Sequence, residues 1–338
     1  MSNLVNRQIR LASRPTGWVN TDNFEMTEET AADPGDGEFL VRNIYMSVDP
    51  YMRGRMNDMK SYVPPFQIGE VLQAGVVGQV MASRHDGFAE GDYVSGMLGW
   101  ENYSISDGQG LHKLTNTEVP LSWYLGILGM PGMTAWVGLT EIAGLKEGES
   151  VFVSAASGAV GSVVGQIARI YGCHVAGCAG TDEKLEILKS EFGYDEAFNY
   201  KTSESIPASI AAACPDGIDV SFENVGGEIF EAAMWNMREF GRIALCGMIA
   251  NYNDEELQPG PRGMMAIIGR RLTIRGFIVS DHPKACGEFA GKAAGWIAEG
   301  KLKYRETVAE GIENAPMAFI DLLHGRNIGK QIVRLADD

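Results

Sequence analysis

The sequence predicts an α/β fold made of a compact β-rich part followed by a doubly wound parallel sheet. In the front part, apolar runs such as FLVRNIYMSV (39–48) and AGVVGQVMAS (74–83) are separated by Gly, Asp and Pro signals about every ten residues, which is typical of an all-β unit. After about Gly126, strand-like runs alternate with helical patterns, as in a parallel sheet covered by helices. At 338 residues the chain is also long for one hydrophobic core, so we expect two domains.

The strand-like runs of the second part are separated by helical patterns. They are SVFVSAA, HVAGCAG, EAFNY, IDVSFEN, GRIALCG and LTIRGFIV. In the second helix, TDEKLEILKSEFG, Thr181 is suited to the N-cap, and Leu185 and Leu188 lie on one face. The tail indicates strand, helix and strand in YRETV, NAPMAFIDLLHG and KQIVRL. The pattern alone allows this tail either to extend the parallel sheet or to return to the front part.

Composition and charge limit the classes of partner. Hydrophobic residues make up 45% and charged residues 21% of the chain, as in an ordinary globular enzyme. The formal net charge of -16 disfavours nucleic acid and anionic membranes, whose binding relies on Lys and Arg. The five cysteines form no Cys-x-x-Cys pair and are typical of reduced, buried thiols. Without a signal-peptide pattern or a run of about 18 apolar residues, we expect a soluble cytoplasmic protein.

A glycine-rich turn follows the first strand of the second part. Ala156, Gly158 and Gly161 have the spacing of a G-x-G-x-x-G fingerprint with alanine first, and Ala159 and Val160 complete the turn. Small residues there let the backbone turn tightly and approach a pyrophosphate at the positive end of the next helix. A purely structural turn is the alternative, but the strand before it and the helix after it favour a dinucleotide. We therefore expect a Rossmann-type sheet.

The end of the second strand indicates which dinucleotide is bound. An NAD site usually places an Asp or Glu there, against the ribose hydroxyls, but this strand ends CAGT, with Gly180 and no acid. Asp182 and Glu183 come next, at a helix start where carboxylates are common because they favour the helix dipole. Lys184 can reach a 2′-phosphate, and an ordinary solvated lysine is the alternative. These residues favour NADPH over NADH.

Several segments resemble one known family over nearly the whole chain. They are SVDPYMRGRM (47–56), GMPGMTAWVGL (129–139), AASGAVG (155–161), ENVGG (223–227), CGMIANYN (246–253) and GRNIGKQIV (325–333). The chain resembles the medium-chain dehydrogenase/reductase superfamily and, within it, the zinc-independent NADPH-dependent double-bond reductases, which include prostaglandin, 2-alkenal and bacterial curcumin reductases. The resemblance implies a GroES-like, β-rich catalytic domain from residues 1–125 and 301–338 and a Rossmann-type NADPH-binding domain from residues 126–300. It also implies a homodimer.

The front part lacks the ligands of a catalytic zinc. Zinc that polarises an oxygen is held by thiolate, imidazole and carboxylate groups. No cysteine precedes Gly126, and the Gly-His-Glu element of the superfamily is here only IGEV (68–71). The histidines of this part, His85 and His112, are flanked by polar loop residues. We therefore expect no metal.

Chemistry without a metal needs a hydrogen-bond donor for the developing charge. Hydride addition at the β-carbon of an enone moves charge to the carbonyl oxygen, where a phenol can hold it. The resemblance implies Tyr252 as this catalytic donor, with packing or ribose binding as the alternative. It implies Tyr51 as an aromatic wall for substrate, or as a tyrosine that closes a turn. Arg53 can contact an acidic substrate or pair with a surface acid. Met130 can line the substrate site or pack inside.

The resemblance implies further cofactor contacts, each with a packing or turn-forming alternative. They are Thr134, Tyr200, Asn224, Cys246, Phe277, Val279 and Asn327. Tyr200 is expected on the adenine side of the cofactor and Asn327 on the nicotinamide side. Phe277 and Val279 belong to the segment expected beside the nicotinamide carboxamide.

These features predict NADPH-dependent reduction of the C=C bond of α,β-unsaturated aldehydes and ketones. Hydride goes to the β-carbon, and a proton from solvent or Tyr252 goes to the α-carbon. The expected partner is a small conjugated carbonyl compound. Two alternatives stay open at this point: quinone reduction with the same cofactor, and a non-catalytic NADPH-binding protein.

Overall fold

The computed structural model describes residues 4–256 and 258–338. The described residues form two compact units. Unit 1 contains the described residues of Met1–Leu125, Glu306–Asn327 and Gln331–Asp338. Unit 2 contains those of Gly126–Arg305 and Ile328–Lys330. The tail is therefore shared between the two units.

Strands and helices of the described residues are as follows in chain order. The strands are β1 (Val5–Leu11), β2 (Phe24–Thr30), β3 (Phe39–Ser47), β4 (Gln73–Ser83), β5 (Tyr93–Gly99), β6 (Tyr103–Ser106), β7 (His112–Lys113), β8 (Ser150–Val153), β9 (His174–Ala179), β10 (Glu196–Asn199), β11 (Ile218–Glu223), β12 (Met237–Leu245), β13 (Thr273–Gly276), β14 (Glu306–Glu310) and β15 (Lys330–Arg334). The α-helices are α1 (Tyr51–Arg55), α2 (Met130–Val137), α3 (Gly161–Ile170), α4 (Asp182–Ser190), α5 (Ile206–Ala213), α6 (Gly227–Asn236), α7 (Met264–Arg270), α8 (Pro283–Ala298) and α9 (Ala315–Leu323). Within the described ranges, none of the helices has both the length and the apolar character needed to cross a membrane.

Unit 1 is built on a seven-stranded sheet of order β14-β15-β3-β4-β5-β7, with β6 paired to β3. Strand β3 is buried along most of its length, and its Phe39 belongs to a core that also contains Trp100 and Phe319. The tail strand β15 pairs antiparallel with β3, so that Ile332 lies opposite Ser47. The β-rich front part is confirmed, and the tail strands pair into its sheet.

Strands β1 and β2 form a separate antiparallel ladder in unit 1, with Val5 opposite Thr30 and Leu11 opposite Phe24. The sequence pattern does not predict this hairpin. Strand β2 has the sequence FEMTEET and is exposed at most positions, so it lacks an apolar residue at every second position. That alternation is the signal by which a half-buried strand is recognised.

Unit 2 is a six-stranded parallel sheet of order β10-β9-β8-β11-β12-β13, the order of a Rossmann-type doubly wound fold. The central strand β8 is buried at every position, as expected for a sheet covered on both faces. The strand order reverses between β8 and β11, and open α/β sheets bind ligands beyond the carboxyl ends of the strands at this switch point. The predicted Rossmann-type sheet is confirmed, and its switch point is where a ligand site is expected.

Local signals decide where the elements of unit 2 begin and end. Thr181 is the N-cap of α4, as predicted, and its side chain accepts a hydrogen bond from the Lys184 backbone N–H at 3.4 Å. The predicted strand LTIRGFIV is too long, because β13 ends at Gly276, which lies opposite Leu245 at the end of β12. Since its partner strand ends there, the segment from Phe277 onward leaves the sheet.

Candidate nucleotide-binding and active site

Most of the predicted site residues lie along one edge of the sheet in unit 2. They are Ala156, Gly158, Ala159, Val160 and Gly161 after β8, Gly180 and Lys184 after β9, Tyr200 after β10, Asn224 after β11, Cys246 and Tyr252 after β12, and Phe277 and Val279 after β13. Because the strands are parallel, their carboxyl ends meet at the same edge. The fold therefore brings together residues that are far apart in the sequence.

The glycine-rich turn is built by close backbone approaches. Its first residue, Ala155, has a positive φ of 49°, and the Gly158 N–H donates to the Ala155 carbonyl oxygen at 3.0 Å. The Ala156 N–H donates to the carbonyl oxygen of Cys178 on β9 at 3.0 Å. A Cβ atom at Gly161 would lie 2.5 Å from the Ala155 oxygen, so only glycine fits there. The turn has the shape that lets a backbone approach a pyrophosphate.

Two further contacts support this turn from within unit 2. The Gly329 N–H donates to the Ser157 carbonyl oxygen at 2.8 Å. Gly329 has a φ of 67°, and a Cβ atom there would lie 2.0 Å from the Arg305 oxygen. On the helix that follows the turn, Gly165 leaves room for the buried ring of Tyr194, whose hydroxyl donates to the Gly161 carbonyl oxygen at 2.7 Å. The glycines thus serve packing as well as backbone approach.

Two lysines and a phenol surround the end of β9. Lys184 is only 7% exposed, and its pKa is lowered by burial and then by the charge of Lys201. A Cβ atom at Gly180 would lie 3.1 Å from the Tyr200 hydroxyl oxygen and 3.4 Å from Lys201 Nζ. The Lys201 ammonium group and the Tyr200 hydroxyl beside Gly180, with the charge of Lys184 acting on Lys201, make a favourable place for a dianion such as a 2′-phosphate.

Lys201 lies beside the predicted site residue Gly180, and the sequence reasoning missed it. It follows Tyr200 in the run NYK, just after β10, and only the pairing of β10 with β9 brings it beside Gly180. The sequence signal that could have identified Lys201 is a lysine shortly after β10, the strand that pairs with β9. Lys184 is buried, so it is not the ordinary solvated lysine that the sequence left open as an alternative.

The turn after β11 contains a buried carboxyl group, that of Glu223. Its Oε1 atom accepts hydrogen bonds from the Ser154 hydroxyl at 2.9 Å and from the backbone N–H groups of Val225 and Gly226, both at 2.7 Å. Burial raises the pKa of Glu223 to about 7, although these donors lower it. The predicted site residue Asn224 is held by the same serine: its N–H donates to Ser154 Oγ and its Nδ2 to the Ser154 carbonyl oxygen, both at 2.8 Å.

The loop after β12 carries Tyr252 and runs along the turn after β11. The N–H groups of Cys246 and Gly247 donate to the Glu223 carbonyl oxygen at 2.9 and 3.1 Å, so this loop is tied to that turn. The Tyr252 hydroxyl oxygen accepts from the Met248 N–H at 3.4 Å, and burial raises the pKa of Tyr252. Burial also raises the pKa of Cys246 to about 12. The phenol therefore keeps its proton and can donate it, and the thiol stays neutral.

The other predicted residues of unit 2 have local structural roles. Phe277 meets Phe222 edge to face, with ring centroids 6.4 Å apart. Val279 begins a short 3-10 turn after β13. In α2, the Thr134 hydroxyl donates to the Met130 carbonyl oxygen at 2.7 Å, a bond within the helix.

Three predicted residues, Tyr51, Arg53 and Asn327, belong to unit 1. Arg53 is buried, and its guanidinium donates to the Gly17 carbonyl oxygen at 2.9 Å and to Asn57 Oδ1 at 2.7 Å, which gives it a bracing role there. Tyr51 begins α1 and packs against the core, and burial raises its pKa, so it stays protonated. Asn327 is buried at the end of the second segment of unit 1.

The sheet order and the glycine-rich turn, with Lys184 after β9 and Lys201 after β10, define a Rossmann-type dinucleotide-binding protein. Residues 7–114 match the family described as the N-terminal domain of oxidoreductase, and residues 159–295 match the family described as zinc-binding dehydrogenase. The NADPH-dependent curcumin reductase of Escherichia coli (strain K12) is 43% identical over 338 residues, which cover 98% of each chain. The 2-alkenal reductase (NADP(+)-dependent) of Nicotiana tabacum is 45% identical over 336 residues, with the same coverage.

A solved structure agrees over the full length. CurA from Vibrio vulnificus, crystallised in complex with NADPH, matches with a TM-score of 0.93 and 44% identity, covering 98% of this chain and 100% of that one. The chain belongs to the NADPH-dependent double-bond reductases of the medium-chain dehydrogenase/reductase family. The family resemblance seen in the sequence is confirmed.

The donor set of this chain does not fit a zinc ion, although one matching family is described as zinc-binding. Among the residues that the structure describes, no three His, Cys, Asp or Glu side chains are grouped so as to hold a metal. The five cysteines are all free and all lie in unit 2. Zinc sites need converging thiolate, imidazole or carboxylate ligands, and the residues that the structure describes offer no such group.

Proposed function

We propose that this protein uses NADPH to reduce the C=C bond of α,β-unsaturated aldehydes and ketones. The observation that carries the proposal is the 43–45% identity over 98% of the chain to relatives named as NADPH-dependent curcumin and 2-alkenal reductases. The strand-end residues of unit 2 support it, because they offer a phosphate turn, two cations and a phenol along one sheet edge.

The residues present fit NADPH. In this proposal the turn 155–161 holds the pyrophosphate. The tight backbone of this turn depends on glycine at 161, because a Cβ atom there would collide with the Ala155 carbonyl oxygen. Lys184, Lys201 and Tyr200 hold the 2′-phosphate around Gly180. Asn224 and the Cys246 segment contact the nicotinamide half. When bound, NADPH supplies a hydride from its nicotinamide ring.

Tyr252 stabilises the charge that develops on the substrate. As the β-carbon gains hydride, negative charge moves to the carbonyl oxygen, and a fixed donor there lowers the barrier. The Tyr252 oxygen accepts from the Met248 N–H, which orients the phenol and leaves its own proton for the substrate. Its raised pKa keeps that proton in place at neutral pH. In unit 2, Met130 supplies an apolar contact to the substrate, and solvent or Tyr252 supplies the α-proton.

The test is to follow NADPH absorbance with an enal, an enone and a quinone in parallel. We expect turnover of the enal and the enone. Turnover with the quinone alone would contradict the proposal. Tight NADPH binding without turnover of any of the three would support a non-catalytic binding protein instead.

We also propose that the protein is a cytoplasmic homodimer that joins through unit 2. The support is an apolar face on α7: Met265 is 71% and Ile268 74% exposed, and Met264 is exposed beside them. Strand β13 lies at the edge of its sheet in the same unit. Exposed apolar patches of this kind mark protein interfaces, and the free cysteines suit a reducing compartment.

Light scattering after gel filtration tests the dimer. We expect twice the chain mass for the wild type and one chain mass for a Met265→Lys, Ile268→Lys variant. Met26→Lys, an exposed methionine of β2 in unit 1, is the matched control and should leave the mass unchanged. A monomeric wild type would refute this proposal.

A further inference from the structure

The carboxyl ends of β8 and β11 are joined by three polar side chains at the switch point of the sheet. Ser154 follows β8, Glu223 ends β11, and Asn224 comes next. We call these three the strand-end clamp. Glu223 and Ser154 are fully buried, and Glu223 Oε1 alone accepts three hydrogen bonds.

The strand-end clamp supports two loops, the glycine-rich turn after β8 and the Tyr252 loop after β12. Ser154 immediately precedes the glycine-rich turn, whose first residue Ala155 has a positive φ that the surroundings must maintain. On the other side, the turn after β11 supports the Tyr252 loop through four backbone hydrogen bonds. These run from the N–H groups of Cys246 and Gly247 to the Glu223 oxygen, from Ile249 to the Asn224 oxygen, and from Ala250 to the Val225 oxygen.

Removing the acceptor would disturb all of these parts together. Without Glu223 Oε1, the N–H groups of Val225 and Gly226 lose their acceptor, and the Ser154 hydroxyl keeps only the Phe222 carbonyl oxygen at 3.5 Å. An unsatisfied buried donor such as the Gly226 N–H carries the full desolvation penalty. The turn can then regain hydrogen bonds only by moving. Asn224 and the Tyr252 loop would move with it.

We infer that Glu223 is a positioning residue: through Ser154 and its own turn, it holds Asn224, the start of the phosphate turn and the Tyr252 loop in the arrangement that binds NADPH. Its carboxyl group acts through these neighbours and not by contact with the substrate or the reacting atoms. The inference rests on the proposed function only in naming NADPH as the ligand.

The experiment compares Glu223→Ala, Glu223→Gln and Ser154→Ala with a matched control, Ser221→Ala. Ser221 lies on the same strand as Glu223 and is equally buried, but its hydroxyl has no hydrogen-bond partner among the described residues. The first readout is the NADPH dissociation constant from nucleotide fluorescence. The second is amide hydrogen exchange of the ligand-free protein at residues 224–226 and 246–250.

We expect Glu223→Ala and Ser154→Ala to weaken NADPH binding about tenfold or more and to speed exchange at these amides. Glu223→Gln should stay within about threefold of wild type, because its amide oxygen can accept the same three hydrogen bonds. Ser221→Ala should match the wild type in both readouts. Should Glu223→Ala fail to fold, Ser154→Ala tests the same clamp from its other side.

Wild-type affinity in Ser154→Ala would overturn the inference, as would equal weakening by Ser221→Ala or by Glu223→Gln. The proposed function is tested separately, since it fails only if the wild type does not reduce an enal or enone. Exchange in the ligand-free protein reports on the clamp whatever the reaction is.

Discussion

Replacing Lys184 and Lys201 one at a time tests how a 2′-phosphate is recognised. Lys184 is buried beside the charge of Lys201, and its pKa is lowered by both effects. A bound dianion reverses this repulsion. A hydrogen bond to a buried charged group contributes about 1.5–3 kcal/mol, so Lys184→Met should lower kcat/KM for NADPH by about 10- to 100-fold. Lys201 is exposed, and an exposed ion pair contributes about 0.2–1 kcal/mol, so Lys201→Met should lower it by less than about tenfold.

The assay measures kcat/KM with NADPH and with NADH for each variant at low and high salt. Methionine keeps the apolar stem of the lysine side chain, so packing is largely retained. Lys189→Met is the control, because Lys189 lies on the same helix but is paired with Glu196 at 3.0 Å. NADH kinetics should not change, since NADH has no 2′-phosphate. A larger loss from Lys201→Met than from Lys184→Met, or an equal loss with NADH, would refute the reasoning.

Three further predictions concern stability, pH and catalysis. The Glu223 pKa is raised from 4.5 to about 7, so the native state loses about 3 kcal/mol of unfolding free energy as pH rises through that range. Denaturation at several pH values should show that Glu223→Gln does not lose this unfolding free energy. The neighbouring thiols of Cys178 and Cys246 do not titrate in this range, because their pKa values are raised to about 12. Gly165→Ala should lower the free energy of unfolding by about 1–3 kcal/mol, because its Cβ atom would lie 2.1 Å from the Tyr194 ring. The same change at Gly291, a helical position with open space around it, should not destabilise the protein. Urea denaturation of both variants measures the difference. Tyr252→Phe should lower kcat about 100-fold with little change in NADPH affinity, and an unchanged kcat would remove Tyr252 from the donor role.

The parts of the fold that were predictable from sequence are those whose signals are local. The six strands of unit 2 and the turn at Gly158 and Gly161 follow from period, composition and spacing within short windows. The β1–β2 hairpin was missed because β2 is mostly polar and exposed. The end of β13 was misplaced because it depends on where β12 ends, which no local pattern around Phe277 records.

The residues of the candidate site also differ in whether a local sequence signal identifies them. Lys184 could be found because it lies in the first turn of α4, shortly after the second strand of the parallel sheet. Lys201 is brought to Gly180 only by pairing between strands, and Ser154 and Glu223 meet across 69 residues of sequence. In the sequence, Glu223 is an ordinary acid at the end of a strand, and its burial and three donors exist only in the folded sheet. Contacts of that kind follow from topology and not from residue spacing.

The hydrogen bond from Gly329 to the Ser157 carbonyl oxygen also bears on how the protein is made. Residue 157 leaves the ribosome long before residue 329, and domains generally fold in the order of synthesis. The nucleotide turn of the nascent chain therefore lacks one of its backbone supports until Ile328–Lys330 has joined unit 2. All six strands of the parallel sheet precede residue 328, so a chain that stops short of it has every strand but lacks this support of the cofactor turn, and we expect its nucleotide affinity to be lower than that of the finished polypeptide.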